Sequence, residues 1–145
     1  MSDQDLMKLY SAQILSLAAD IPHTDRIAGA VTVKKRAPVC GSTVEVDLIV
    51  EDGIITRYGQ NVKACALGQA AASIIGNVIV GLTEETVREG RMQLSQMLKA
   101  DGPVPAAPFE GFKILEPARD FGNRHASILL TFDAIIEALD QMGSA

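Results

Sequence analysis

Thr43-Val44-Glu45-Val46-Asp47-Leu48-Ile49-Val50-Glu51-Asp52-Gly53-Ile54-Ile55-Thr56-Arg57-Tyr58 decides the fold, because it alternates apolar with polar residues on either side of an Asp-Gly pair. Asp-Gly between alternating runs is the strongest short-range hairpin signal. A two-residue turn at Asp52-Gly53 pairs residue 51 with 54, and the same mirror relates the two cysteines of the chain, Cys40 and Cys65. The ladder is expected to stop short of them, yet the fold-back leaves both thiols near one end of the hairpin. Val44, Val46, Leu48 and Val50 define a core face, and Thr43, Glu45, Asp47 and Ile49 a face toward water.

Working outward, Cys65 opens a segment that is small or apolar nearly all round from Ala66 to Val80 and stops at Gly81. That predicts a helix buried on most sides, with Gly81 as its C-cap. Cys65 then stands at a helix N-terminus, where the dipole favours a thiolate, the species that binds metal or attacks sulfur. The plainer alternative is that both cysteines are small buried hydrophobes.

Before the hairpin, Ser2-Asp3 can cap a helix over about 4–19 with Leu6, Tyr10, Ile14 and Leu17 on its apolar face; Ile21-Pro22 ends it. A strand over about 28–34 follows, and the three strands, about 28–34, 43–50 and 54–59, make an antiparallel meander. After it, Thr83-Glu84-Glu85 starts a helix running to about Lys99 with Val87, Met92, Leu94, Met97 and Leu98 inward. Residues 101–108, rich in Gly and Pro, read as a loop, with Phe109, Phe112, Ile114 and Leu115 as anchors. Asn123 is the expected N-cap of a last helix over about 124–142, with Ile128, Phe132, Ile135, Ile136 and Leu139 facing inward. The order αβββααα predicts one α+β domain over 1–145, a three-stranded antiparallel sheet with helices packed over one face.

The chain has 145 residues, 21% of them charged, and a net charge of −5, which argues against a nucleic-acid partner. The run Lys34-Lys35-Arg36 reads as a solvated strand end. No window reaches the roughly 18 apolar residues of a membrane span, and no basic-then-apolar leader opens the chain, so a cytoplasmic protein is expected. Two cysteines are too few for a disulfide scaffold. No Ser/His/Asp arrangement, phosphate-cradling glycine loop or paired carboxylates points to independent catalysis, and the chain is not expected to be an enzyme; the alternative is a thiol-based activity with Cys65 as sulfur acceptor or redox nucleophile and Cys40 as resolving thiol. His23 reads as a loop residue. His125, in the first turn of the last helix, can reach the same end of the molecule as Cys65, and an imidazole with two thiolates suits zinc or iron.

Ala37-Pro38-Val39-Cys40-Gly41, Asp52-Gly53-Ile54-Ile55, Cys65 before Ala71-Ala72-Ser73, Gly81-Leu82-Thr83 and His125-Ala126-Ser127-Ile128-Leu129, in this order, together resemble the iron–sulfur cluster assembly scaffolds of the NifU N-terminal, IscU and SufU type. The resemblance implies a labile iron–sulfur cluster, [2Fe–2S] in such proteins, or zinc, held through Cys40, Cys65 and His125. It also implies a cysteine desulfurase and recipient apoproteins as partners. Where the family has Cys-Gly-Asp this chain has Cys40-Gly41-Ser42, and where the family has a third cysteine it has Ala126. The resemblance therefore also allows a degenerate member that binds assembly proteins, or accepts sulfur, without holding a cluster.

Overall fold

The computed structural model describes residues 11–38 and 41–143. Its elements are α1 (Ala12–Ala19), β1 (Val31–Arg36), β2 (Thr43–Glu51), β3 (Ile54–Lys63), α2 (Ala66–Gly76), α3 (Glu84–Lys99), 3₁₀ turns over Glu110–Asp120 and Gly122–Arg124, and α4 (His125–Gly143). The sheet is antiparallel in the order β1-β2-β3. Helix α4 lies across β1 and β2, α2 sits beside β3, and α1 and α3 pack on α2 and α4. The α+β meander with its layer of helices is therefore the fold. The expected cap at Ser2-Asp3, and Leu6 and Tyr10, fall outside the described residues; Ser11 caps the helix that follows, its Oγ accepting from the Ile14 amide at 3.3 Å.

Asp52 and Gly53 have φ of 54° and 78°, the left-handed pair that a two-residue hairpin turn requires. Glu51 faces Ile54 and Val50 faces Ile55, but Ile49 then faces Arg57, leaving a β-bulge. Beyond it every pair is displaced by one residue, ending at Thr43 opposite Lys63, so the mirror that related residue 40 to 65 is off by one. The ladder also carries β3 to Lys63 rather than 59.

The face of β2 expected to meet water is closed at Asp47, which is 2% exposed. The chain before β1 crosses this face: the His23 carbonyl accepts from the Gln60 amide at 2.8 Å, and a side chain at Gly59 would meet the Asp25 carbonyl oxygen at 2.4 Å. That crossing explains why β1 starts at Val31 rather than 28. Asp47 gathers the donors there, accepting from Arg26 Nε at 2.8 Å, the Ile27 amide at 3.0 Å and Thr32 Oγ1 at 2.6 Å. Burial pushes its carboxyl up, but these hydrogen bonds and the guanidinium charge more than offset that and hold it below the usual range. On the opposite face, Tyr58 Oη donates to Gln60 Oε1 at 2.9 Å, and Gln60 Nε2 donates to the carbonyls of Pro22 and Ala72. The sheet is thereby tied to the segment that follows α1 and to α2, and burial raises the Tyr58 phenol above its ordinary value.

Helix α2 ends at Gly76, not before Gly81. A side chain at 76 would meet Gln60 Nε2 at 2.7 Å, and beyond it the chain leaves helical geometry to bury Ile79 and run beside β3, where the Gly81 amide donates to the Ile55 carbonyl at 2.7 Å and the Ile55 amide to that of Leu82 at 2.9 Å. Thr83 caps α3 as expected, accepting from the Thr86 amide at 3.3 Å. Met92, expected inward, is 50% exposed, and Gly90 takes its place because only a bare Cα admits the Phe109 ring there. Phe109, Phe112 and Leu115 anchor the connection as expected, with Phe109 and Phe132 edge to face at 5.0 Å. Asn123 lies within a 3₁₀ turn rather than capping α4, which begins at His125. No helix among the described residues is long and apolar enough to cross a membrane.

Replacing Asp47 with Asn should lower the unfolding free energy by about 1–3 kcal/mol at neutral pH, because the buried side chain loses its charge and one of the two oxygens that accept from the Ile27 amide and the Thr32 hydroxyl, while the exposed Arg26 contributes little. The folded carboxyl titrates below its unfolded value, so its stabilisation is complete above the unfolded pKa of about 4 and fades as pH falls through the folded value. Urea titrations of both proteins should therefore show the gap at pH 7 narrowing below about pH 4. A gap that is constant with pH would remove the charge from the account.

Candidate functional site

Three elements meet at one end of the sheet: the start of β2, the start of α2 and the start of α4. They meet because α2 and α4 touch through Gly68, where a Cβ would lie 2.5 Å from Ser127 Oγ and 3.3 Å from the Ser127 carbonyl oxygen. Close approach of two backbones needs a residue without a side chain. The contact sets Cys65, the N-cap residue of α2, against the first turn of α4.

Cys65 is half-buried and its Sγ lies 3.5 Å from Ser127 Oγ. Ser127 Oγ is in turn 3.1 Å from Ser42 Oγ. Both serines are buried, at 2% and 4% exposure. Sulfur and two hydroxyls thus form one continuous polar line, and the buried Val44, Leu67 and Ile128 lie close to them in sequence. Ser42 follows a tight connection: the Ala37 amide donates to the Ser42 carbonyl at 2.8 Å and the Gly41 amide to that of Ala37 at 3.0 Å. Gly41 has a φ of 72°, a conformation that favours glycine and explains the residue after the first cysteine. Cys40, between Ala37 and Gly41 in sequence, lies outside the described residues.

His125 starts α4 and is 7% exposed, with Nε2 3.0 Å from the Ala118 carbonyl. A carbonyl only accepts, so Nε2 carries a proton and donates, and Nδ1 is the ring nitrogen left for another partner. A hydrogen bond of this kind fixes ring and tautomer in many metal-binding histidines, and equally satisfies a core histidine. Ala126 is partly buried against the core. Among the described residues no three His, Cys, Asp or Glu side chains converge as a metal site. His23 remains a loop residue, its ring edge-on to Tyr58 at 6.0 Å.

The residues missed from sequence are Ser127 and Gly68. Ser127 stands inside the run His125-Ala126-Ser127-Ile128-Leu129 as a hydroxyl on a helix face whose neighbours are apolar. That was the available signal, although its partners sit 62 and 85 residues away in sequence.

No protein-family model matches the sequence, and no curated protein does. Among solved structures, the fold is similar to that of a nitrogen-fixing NifU-like protein (N-terminal) from Brucella abortus, at 37% identity and a TM-score of 0.94, over 97% of this chain and 98% of that one. The chain belongs to the NifU-like N-terminal family. The same fold recurs at 20% identity in a hypothetical protein, with a TM-score of 0.80 over 92% of this chain and 98% of that one. It recurs again at 17% identity in a protein from Fervidobacterium islandicum described as an iron–sulfur cluster assembly scaffold for the SUF system, with a TM-score of 0.77 over 88% and 94% of the two chains.

On an exposed helix, Gly→Ala stabilises by up to about 1 kcal/mol. At Gly68 the sign should reverse, because the new methyl lands on Ser127 in a packed junction, and a loss of about 1–3 kcal/mol is expected from denaturant midpoints. A Gly68→Ala variant as stable as the parent would mean that α2 and α4 can separate freely.

Proposed function

We propose that this protein works in iron–sulfur cluster assembly as a scaffold or carrier, holding iron, a labile cluster or zinc as cargo through Cys40 and Cys65, with His125 as the third donor. The observation that carries the reading is Cys65: a half-exposed thiol at a helix N-terminus, in a chain whose fold over nearly its full length is that of a NifU-like protein. A buried structural cysteine has no need of that position, whereas a sulfur that exchanges cargo must be reachable. His125 would offer Nδ1, since Nε2 is engaged. Cysteine desulfurase as sulfur donor and recipient apoproteins as acceptors are the partners this reading requires, in a reducing compartment such as the cytoplasm that keeps both thiols free. The protein would bind and transfer rather than catalyse.

A second reading is favoured by Ser42 and Ala126. The carboxylate and third thiolate of a complete scaffold are replaced by a hydroxyl turned toward Ser127 and by a methyl group. An iron–sulfur cluster is typically held by four thiolates, so sites left open here must be filled by solvent or by another molecule. On this reading the chain serves as an interaction module or as a sulfur acceptor from the desulfurase.

Anaerobic reconstitution with ferrous iron and sulfide separates the two. The scaffold reading expects a visible chromophore with stoichiometric iron, and loss of most bound iron or zinc in Cys40→Ala and in Cys65→Ala. Metal content unchanged in both variants would remove these residues from the site and leave the interaction module.

A further inference from the structure

This inference rests on the scaffold reading and concerns what holds the sulfur of Cys65. Ser127 Oγ stands between Cys65 Sγ and Ser42 Oγ, at 3.5 and 3.1 Å. A hydroxyl has one proton and two lone pairs. A sulfur holding a cation has lost its proton and can only accept. The single proton of Ser127 then goes to sulfur, its oxygen accepts from Ser42, and the direction of the line is set at both links. Both hydroxyls are buried, so the Ser42–Ser127 link is shielded from water even though the sulfur itself is half-exposed, and hydrogen bonds in such surroundings are stronger than in solvent. Room for the Ser127 hydroxyl is made by Gly68, since a methyl group there would fall 2.5 Å from the oxygen.

We propose that Ser127 is a positioning residue for the cargo-binding sulfur: its hydroxyl, oriented by Ser42, donates to the Cys65 thiolate and sets how tightly that thiolate holds a thiophilic divalent cation. Outer hydrogen bonds fix the direction of a ligand's lone pairs and tune its donor strength, and their loss typically costs 10–100-fold in metal affinity. With Ser42 and Ala126 in place of two ligands, each remaining thiolate carries a larger share of the binding, so the effect should be at the upper end.

The test is competition for Zn(II) against a chromophoric chelator, with Co(II) as the spectroscopic probe, on the full anaerobic chain. Ser127→Ala is expected to weaken Zn(II) binding about 10–100-fold and to shift the thiolate-to-cobalt charge-transfer band. Ser42→Ala, which leaves the α2–α4 contact intact, should move both readouts the same way by less, and it keeps the test decisive if Ser127→Ala does not fold. Thr131→Val removes another buried hydroxyl one turn along α4 and should change neither. Wild-type affinity and an unshifted band in Ser127→Ala or, should that variant not fold, in Ser42→Ala, or an equal loss in Thr131→Val, would overturn the proposal. Cys65→Ala tells the two failures apart: if it abolishes binding while the serine variants are neutral, only the positioning role falls, and if it binds as well as the parent, the scaffold reading falls with it.

Discussion

The close approach of α2 and α4 at Gly68 is the constraint on which the site depends. Without a side chain at 68 the two helices meet backbone to side chain, and their starts arrive side by side at the open end of the sheet. Helix starts are where unsatisfied N–H groups and positive dipole ends lie, so two of them together favour anionic groups such as a thiolate. The third component is β2, whose first residues carry Ser42 into the same junction. The 3₁₀ run is drawn in as well, because the carbonyl of Ala118 accepts from His125 at the first residue of α4.

The rest of the fold keeps this junction fixed. Asp47 on one face of the sheet and Gln60 on the other hold the segment between α1 and β1 against β2 and β3, and Gln60 also ties β3 to α2. At the far end, Arg119 donates to the carbonyls of Met97 and Gly102, satisfying the C-terminus of α3 and closing the long loop against it. The aromatic trio of Phe109, Phe112 and Phe132 fills the space between.

The hairpin, the order of elements and most inward faces were legible because they rest on local chemistry: the Asp-Gly turn, alternation over Val44 to Val50, and the Thr83 cap with its acidic first turn. What local chemistry could not supply was tertiary. The segment after Gly76 is apolar enough to continue a helix, and the burial of Ile79 together with hydrogen bonds to Ile55, more than 20 residues earlier in the chain, diverts it. Asp47 reads as a solvent residue until a loop 20 residues earlier in the chain is laid over it. For the site, Cys65 at a helix start followed from composition, whereas Ser127 did not, because its role depends on Gly68 removing a side chain on another helix. The bulge at Ile49 and Val50 likewise carries no mark in the sequence and shifts the whole ladder by one residue.

On the scaffold reading, the exchange of a carboxylate for Ser42 changes the charge of the loaded site more than its shape. Two thiolates neutralise a divalent cation, whereas a third thiolate and a carboxylate would leave the complex with two negative charges. A neutral complex at the end of a chain of net charge −5 avoids further repulsion and sheds water easily, but it also gives the cation less to hold. The buried serine pair cannot supply the missing charge, because a hydroxyl keeps its proton near neutral pH. What it supplies is direction, one hydrogen bond aimed at one sulfur. A site of this kind binds through geometry more than through charge, which suits cargo that must leave for a partner with a fuller set of ligands.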